Sequence, residues 1–257
     1  MGPAHRALAR IDREFYLRHA DEFDRTRSAP WPGWAPIAEW ALARLRSDGG
    51  RLSLLDLGCG NGRFGAYLAG RSQAPIVELG VDASLPLLAR ARAAAQRTGR
   101  QARWLALDLL GELGVGVGLT AIVGRFDLVV VFGLMHHVPG SHRRARLLHD
   151  AGALVAAGGR LAVSFWQLGD DPRFAPRLVD ARAHLAARGE PTAGLEPGDH
   201  LLRWGASSAP QSPLRYCHHT SDDEADRLAQ ASALRVVERY HADGRTGELN
   251  LYVVLAR

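Results

Sequence analysis

The sequence predicts an α/β protein built on a doubly wound sheet, and three observations predict it. Strand-like and helix-like segments alternate five times between Leu52 and Phe165, the rhythm of successive βαβ units with right-handed crossovers. Three successive strands run to an acid, Asp56, Asp82 and Asp108, at the sheet edge where open α/β folds bind ligands. Past Asp127 the fourth strand is a continuous apolar run to Phe132, as a strand buried on both faces requires.

Residues 35–46 place Ile37, Trp40, Ala41 and Leu45 at helical spacing and stop at Gly49-Gly50. Leu52–Leu57 is the first strand, and a helix begins at Arg63. The second strand spans 76–81, and Ser84 caps a helix over 85–97 with Leu85, Leu88, Ala89 and Ala93 on one face. The third strand spans 102–107, followed by a glycine-rich loop at 111–124. A fourth strand over 126–132, a helix over 144–156 and a fifth strand over 160–165 complete the alternation. From 167 to 213 the rhythm breaks into an insertion with one helix, 176–187, carrying a proline in its first turn. It resumes with a helix over 221–233 and an antiparallel strand pair, 235–240 and 250–255, about Asp243-Gly244. The expectation is a seven-stranded sheet domain over 51–257, preceded by a helical segment over 1–50.

A chain of 257 residues can bury one substantial core. No apolar run approaches the roughly 20 residues that span a bilayer. The opening Met-Gly-Pro-Ala-His-Arg has neither a signal-peptide layout nor Ser or Thr at position 6 for myristoylation, so a cytoplasmic protein without a membrane partner is expected. Cys59 and Cys217 offer no metal spacing and no disulfide framework. The net charge of +5 permits an anionic partner such as RNA. All 32 basic residues are arginine, however, a signature of GC-rich codon use that lowers the weight of the charge.

The stretch Leu-Leu-Asp-Leu-Gly-Cys-Gly-Asn-Gly, residues 54–62, is the most specific motif. Glycines at 58, 60 and 62 open the backbone to close approach, and the following helix start presents bare amides. A dinucleotide site would space its glycines G-x-G-x-x-G. Here the spacing is G-x-G-x-G, and Asp56 two residues earlier repels phosphate and suits a cation. NAD is therefore the runner-up. The pattern resembles the first motif of class I S-adenosylmethionine (SAM) methyltransferases, whose Rossmann-like sheet ends in an antiparallel strand pair. The resemblance implies SAM as cofactor, with the methionine part against Asp56, Gly58, Cys59, Gly60, Asn61 and Gly62. It implies the ribose at Asp82 and Ala83, the adenine at Asp108 and Leu109, and the sulfonium beside Gly133 and Leu134.

Outside these motifs stand Tyr16-x-x-x-Ala20-x-x-Phe23-x-x-Thr26-Arg27-x-x-Pro30-Trp31-Pro32, then His136-His137, Gly198-Asp199-x-Leu201-x-x-Trp204 and Arg215-Tyr216-Cys217-His218. Together they resemble the tRNA wobble-uridine carboxymethyl methyltransferases, which esterify 5-carboxymethyluridine, over about residues 16–254. Arg203 and Cys217 depart from that family's usual proline and tyrosine. The resemblance implies a carboxylate acceptor, tRNA as partner and, as in related tRNA enzymes, a small zinc-binding activator subunit. A carboxylate is ionised at pH 7 and needs no base, and guanidinium groups grip it bidentately. Arg27 and Arg215 are the candidates for that grip. His136 would act as a base for a hydroxyl or amine acceptor. His137, Trp31, Trp204, Tyr216 and His218 are candidate acceptor contacts, and no metal is expected. The alternatives are a small-molecule O- or N-methyltransferase and a non-catalytic partner subunit of the same fold.

Overall fold

A computed structural model describes residues 1–26, 29–47, 50–111, 119–205, 209 and 211–257. In chain order the elements are α1 (Pro3–Arg25), α2 (Ala35–Ser47), β1 (Leu52–Leu57), α3 (Arg63–Ala69), β2 (Ile76–Asp82), α4 (Leu85–Thr98) and β3 (Gln101–Ala106). They continue with β4 (Phe126–Val131), α5 (Ser141–Ala153), β5 (Val155–Trp166), β6 (Leu178–Asp180), α6 (Ala181–Ala186), β7 (Asp199–Arg203), β8 (Leu214–His218), α7 (Asp222–Ala231), β9 (Arg235–Ala242) and β10 (Asn250–Ala256). The main sheet has seven strands in the order β3-β2-β1-β4-β5-β10-β9. Only β10 runs against the others, antiparallel to β5 and β9, so the predicted C-terminal pair is present.

Alternate residues of the central strands fill two cores. Leu55, Val129, Val131, Leu161 and Val253 pack against Leu147, Leu148 and Leu228 of α5 and α7. Leu54, Leu128, Val130 and Tyr252 pack on the other face against Ile37, Ala41, Phe64 and Leu68 of α2 and α3. Burial on both faces explains the unbroken apolar sequence of β4. The strand order reverses between β1 and β4, which pair directly from Leu54↔Leu128 to Asp56↔Val130. Their carboxyl ends therefore lie side by side and open the crevice.

Several expected elements need correction. Helix α5 ends at Ala153 and β5 starts at Val155, five residues early, because Val155 pairs with Phe126 and Gly158, at φ +69°, carries the register shift to Arg160. Residues 176–187 are not one helix. A 3-10 turn at Ala175–Arg177 leads into β6, and Asp180 starts α6 by accepting from Ala183 N at 2.6 Å. That side chain marks a helix start in mid-segment and sends Leu178 and Val179 into strand pairing with β7. Strands β6, β7 and β8 form a second, antiparallel sheet. It packs through Leu201 and Tyr216 onto Ala7 and Leu8 of α1. Part of the 111–124 loop, residues 112–118, and Arg27 lie outside the described residues. No helix among the described residues is long and apolar enough to cross a membrane.

Candidate active site

The turn after β1 is held by Gly58 N and Cys59 N, which donate to Val81 O at 2.8 and 3.0 Å. Gly58, Gly60 and Gly62 have φ of +80°, +54° and +74°, the left-handed region that other residues enter at a cost. Gly62 does not face the crevice. A side chain there would stand 2.8 Å from the Trp104 ring, so this glycine serves the packing of α3 behind the turn.

Asp56 is 3% exposed and faces the hollow. Among the described residues nothing donates a hydrogen bond to it. Burial, then the charges of Glu78 and Asp82, push its carboxyl well above the usual range. Such a group gains most from a cation that docks beside it. Arg63, the first residue of α3, shares this hollow. Its guanidinium donates to Ala29 O at 2.7 Å and lies 5.6 and 5.2 Å from the rings of Trp31 and Trp34. The Cys59 thiol is pushed up by burial and by Asp56, so it fills space as a neutral group. Asn61 also lines the hollow, with its amide spent on Asp24 Oδ1 at 2.6 Å, which ties the end of α1 to the turn.

A second hollow continues from the first, sharing Tyr16, Gly58, Gly60, Leu87, Gly133 and His137. It is lined by Asp82, Ala83, Asp108, Leu109 and Leu134, all expected from the sequence. Asp82 accepts from Gly60 N and Ser84 N, both at 2.8 Å, and so joins the glycine turn to the head of α4. Burial raises its proton affinity against the pull of those amides. Asp108 works mainly as a turn former. Its Oδ1 accepts from Leu110 N and Gly111 N at 2.9 Å, and its Oδ2 pairs with Arg13 at 3.2 Å.

At the far end of the first hollow a buried chain of polar groups begins on α1. Positions 4, 8, 12 and 16 form one inward stripe of that helix, and it carries Asp12 and Tyr16 among apolar residues. His137 Nδ1 lies 2.9 Å from Tyr216 O, and Nε2 lies 2.9 Å from the Tyr16 hydroxyl. A carbonyl only accepts, so Nδ1 carries a proton, and in the neutral ring Nε2 accepts from Tyr16. Asp12 Oδ2 stands 2.9 Å from Nδ1 without hydrogen-bond alignment, while Oδ1 accepts from Tyr216 N at 2.8 Å. Burial pushes the Tyr16 phenol up.

Arg215 Nη1 donates to the Tyr16 oxygen at 3.2 Å. The guanidinium is 3% exposed and faces the first hollow. It is boxed by Trp166 at 5.1 Å, Trp204 at 5.2 Å and Phe15 at 6.0 Å. Nε has no acceptor, and among the described residues no carboxylate forms an ion pair with it. His136 packs between His137 and Trp166, with ring centroids at 4.0 and 4.6 Å. Trp31 lines the hollow over Gly133.

Two of the expected acceptor residues point away. Residues 214–218 are strand β8, so Arg215 and Cys217 share one face while Tyr216 and His218 share the other. Tyr216 is fully buried and donates to Asp199 Oδ1 at 2.6 Å. His218 sits between Asp199 and Glu224, 2.9 Å from each, and Glu224 is shared with the buried Arg144. Both side chains build the join between the small sheet and α7. Tyr16, Asp12, Arg63 and Trp166 were not assigned roles from the sequence. The helical stripe on α1 was the signal for the first two.

The crevice fits SAM. Among the described residues Asp56 has no donor and so suits an ammonium, the glycine turn gives backbone access, and Asp82 closes the adjoining hollow. Residues 55–161 match the family described as methyltransferase domain. No curated protein matches the chain by sequence. Among solved structures, a SAM-dependent methyltransferase from Methanosarcina mazei aligns with TM-score 0.59 and 19% identity over 86% of this chain and 96% of that one. Magnesium protoporphyrin IX methyltransferase from Synechocystis PCC 6803, with bound SAH, aligns at 0.57 and 18% over 95% and 97%. The N-methyltransferase NodS from Bradyrhizobium japonicum WM9, also with SAH, aligns at 0.52 and 16% over 99% and 98%. The matched stretch of chain holds the glycine turn and the strand ends that shape both hollows, so residues 55–161 read as a methyltransferase domain and the chain has the fold of the SAM-dependent methyltransferases.

Proposed function

We propose that this methyltransferase esterifies a carboxylate, seated against Arg215. The single observation that carries the proposal is that buried guanidinium, facing the hollow with no acid paired to it among the described residues. A buried charge without a partner is costly, and an acceptor carboxylate would complete it bidentately. The disposition of His137 favours the same acceptor. Its Nε2 is already engaged by Tyr16, so it is poorly placed to take a proton from a hydroxyl or an amine.

Bound SAM supplies a methyl group activated by its sulfonium. The protein's task is alignment and exclusion of water. Arg215 holds one face of the carboxylate, Tyr16 and His137 keep Arg215 aimed, Trp31, Phe132 and His136 wall the space, and Trp166 backs Arg215 and His136. One C–O bond forms as one C–S bond breaks, the carboxylate charge and the sulfonium charge are lost together, and no proton is released.

The motif resemblance favours 5-carboxymethyluridine in tRNA as the acceptor. The enclosure of Arg215 beneath Trp166 and Trp204 favours a free small acid. Methyl-labelled SAM offered with bulk tRNA and, separately, with a metabolite extract tests both. Label that base treatment releases as methanol is expected in one fraction, and in tRNA the transfer should fall steeply with salt. Base-stable label in either fraction would overturn the carboxylate reading.

A further inference from the structure

We infer that the methyl acceptor carries a second anionic group, held by Arg177. The inference rests on the carboxylate seat at Arg215 and adds a requirement to it. Arg177 ends the 3-10 turn before β6. Its guanidinium carbon lies 5.6 Å from the Phe174 ring, Phe174 packs edge-on against Trp166 at 5.2 Å, and Arg215 lies 5.1 Å from that same Trp166. The aromatic pair thus has Arg215 at its Trp166 end and Arg177 at its Phe174 end, where Arg173 also lies 5.6 Å from the ring with Asp171 as its counter-ion.

Arg177 is half-buried and anchored, donating from Nε and Nη2 to Arg203 O at 3.1 and 2.7 Å. That leaves Nη1 without a partner among the described residues. Burial and repulsion from Arg215 both weaken its hold on its proton. Three other buried or neighbouring arginines are paired with acids. Arg173 has Asp171, Arg100 has Glu78, and Arg144 has Glu196 and Glu224. Arg177 and Arg215 have none among the described residues. Arg177 feels the charge of Arg215 and has no acid of its own among the described residues, which is unfavourable, and a ligand with two negative groups removes that cost at both ends. An acceptor with one carboxylate would leave Arg177 uncompensated. The two anions would sit on either side of an apolar spacer lying on Phe174 and Trp166.

The test uses the full chain saturated with S-adenosylhomocysteine and reads anion binding by calorimetry. The probes are butyrate, the dicarboxylates from malonate to adipate, and 3-phosphonopropionate. A second charge-assisted hydrogen bond is worth about 1.5–3 kcal/mol, or roughly 10- to 150-fold in affinity. At least one dianion should exceed butyrate by about that factor. Dicarboxylate ahead of phosphonate makes the second group a carboxylate, and the reverse order makes it a phosphate. Arg177→Gln should erase the dianion's advantage while changing butyrate affinity far less, and Arg177→Lys should restore part of it. S-adenosylhomocysteine affinity reports whether each variant is folded. Equal binding of mono- and dianions by the wild type, or equal loss of both in Arg177→Gln, would overturn the second anion alone. Failure of every acid to bind, or binding indifferent to Arg215→Gln, would overturn the seat at Arg215 as well.

Discussion

Asp56 is the sharpest point at which the cofactor site can be tested, because one carboxylate governs both ligand affinity and stability. Burial, then the charges of Glu78 and Asp82, hold its carboxyl well above the usual carboxylate range, with no donor to it among the described residues. A cationic ammonium beside it favours the ionised form, so SAM affinity should rise with pH until Asp56 is ionised in the free protein, by at most tenfold per pH unit. Asp56→Asn keeps the shape and removes the charge. The loss of one charged hydrogen bond is about 1.5–3 kcal/mol, which predicts SAM binding weaker by roughly 10- to 150-fold at pH 8. The two affinity curves should converge as the pH falls and the wild-type side chain becomes neutral.

Stability moves the other way. A carboxyl whose folded-state pKa is raised loses stability as pH climbs from its unfolded value toward the folded one. The ligand-free Asp56→Asn protein should therefore melt higher than wild type at pH 8, at about 2–4 °C per kcal/mol for a domain of this size. Calorimetric titration across pH and differential scanning calorimetry read the two quantities. An Asn variant that binds SAM like wild type, or one that melts lower without ligand, would refute the reasoning.

Three further outcomes are expected. Tyr16→Phe removes the oxygen that receives Arg215 and the proton given to His137. It should leave SAM affinity within about twofold and lower formation of base-labile methyl ester about tenfold or more, and a parallel fall in SAM affinity would assign Tyr16 to the cofactor instead. Glu224→Gln takes a counter-ion from buried Arg144 and His218, costing about 3 kcal/mol in urea unfolding. Despite burial, His218 and Arg144 hold the Glu224 carboxyl down at about 2, so the wild-type advantage should be full well above pH 4.5 and be lost progressively as the pH falls from there toward 2. Gly33→Ala would drive a methyl group into the Tyr252 ring. A drop of about 1–3 kcal/mol in stability is expected from that overpacking, and an unchanged melting temperature would show that Tyr252 moves aside freely.

The parts of the site legible in the sequence are those whose chemistry is local. The glycine turn declares itself because left-handed backbone restricts residue choice, and Asp56 and Asp82 because a strand end fixes where a side chain points. Asp108 shows the limit of that logic, since the same position also serves a turn and its amides take one oxygen. The small sheet was not legible. Its strands are three to five residues long, too short to show a period, and they are defined by pairing across Gly- and Pro-rich connections. Missing β8 hid the alternation that sends Arg215 into the hollow and Tyr216 away from it. Asp12 and Tyr16 lay in plain view on an inward helical stripe, but which groups they meet depends on β8 and on the turn holding His137.

The tie between Gly33 and Asp243 has a consequence for how the protein comes into being. Asp243 accepts from Gly33 N at 3.0 Å, Asn250 Nδ2 at 2.7 Å and the Tyr252 hydroxyl at 2.6 Å, and Tyr240 donates to Gly33 O at 2.6 Å. The turn that sets Trp31 over the hollow is thus fastened by groups made more than two hundred residues later. On the ribosome the SAM-facing strands β1 to β4 would be complete long before the wall bearing Trp31 is secured. A nascent chain thereby carries its cofactor-facing strands before the groups that fasten Trp31 exist, and that wall is secured only once the β9–β10 hairpin has been made.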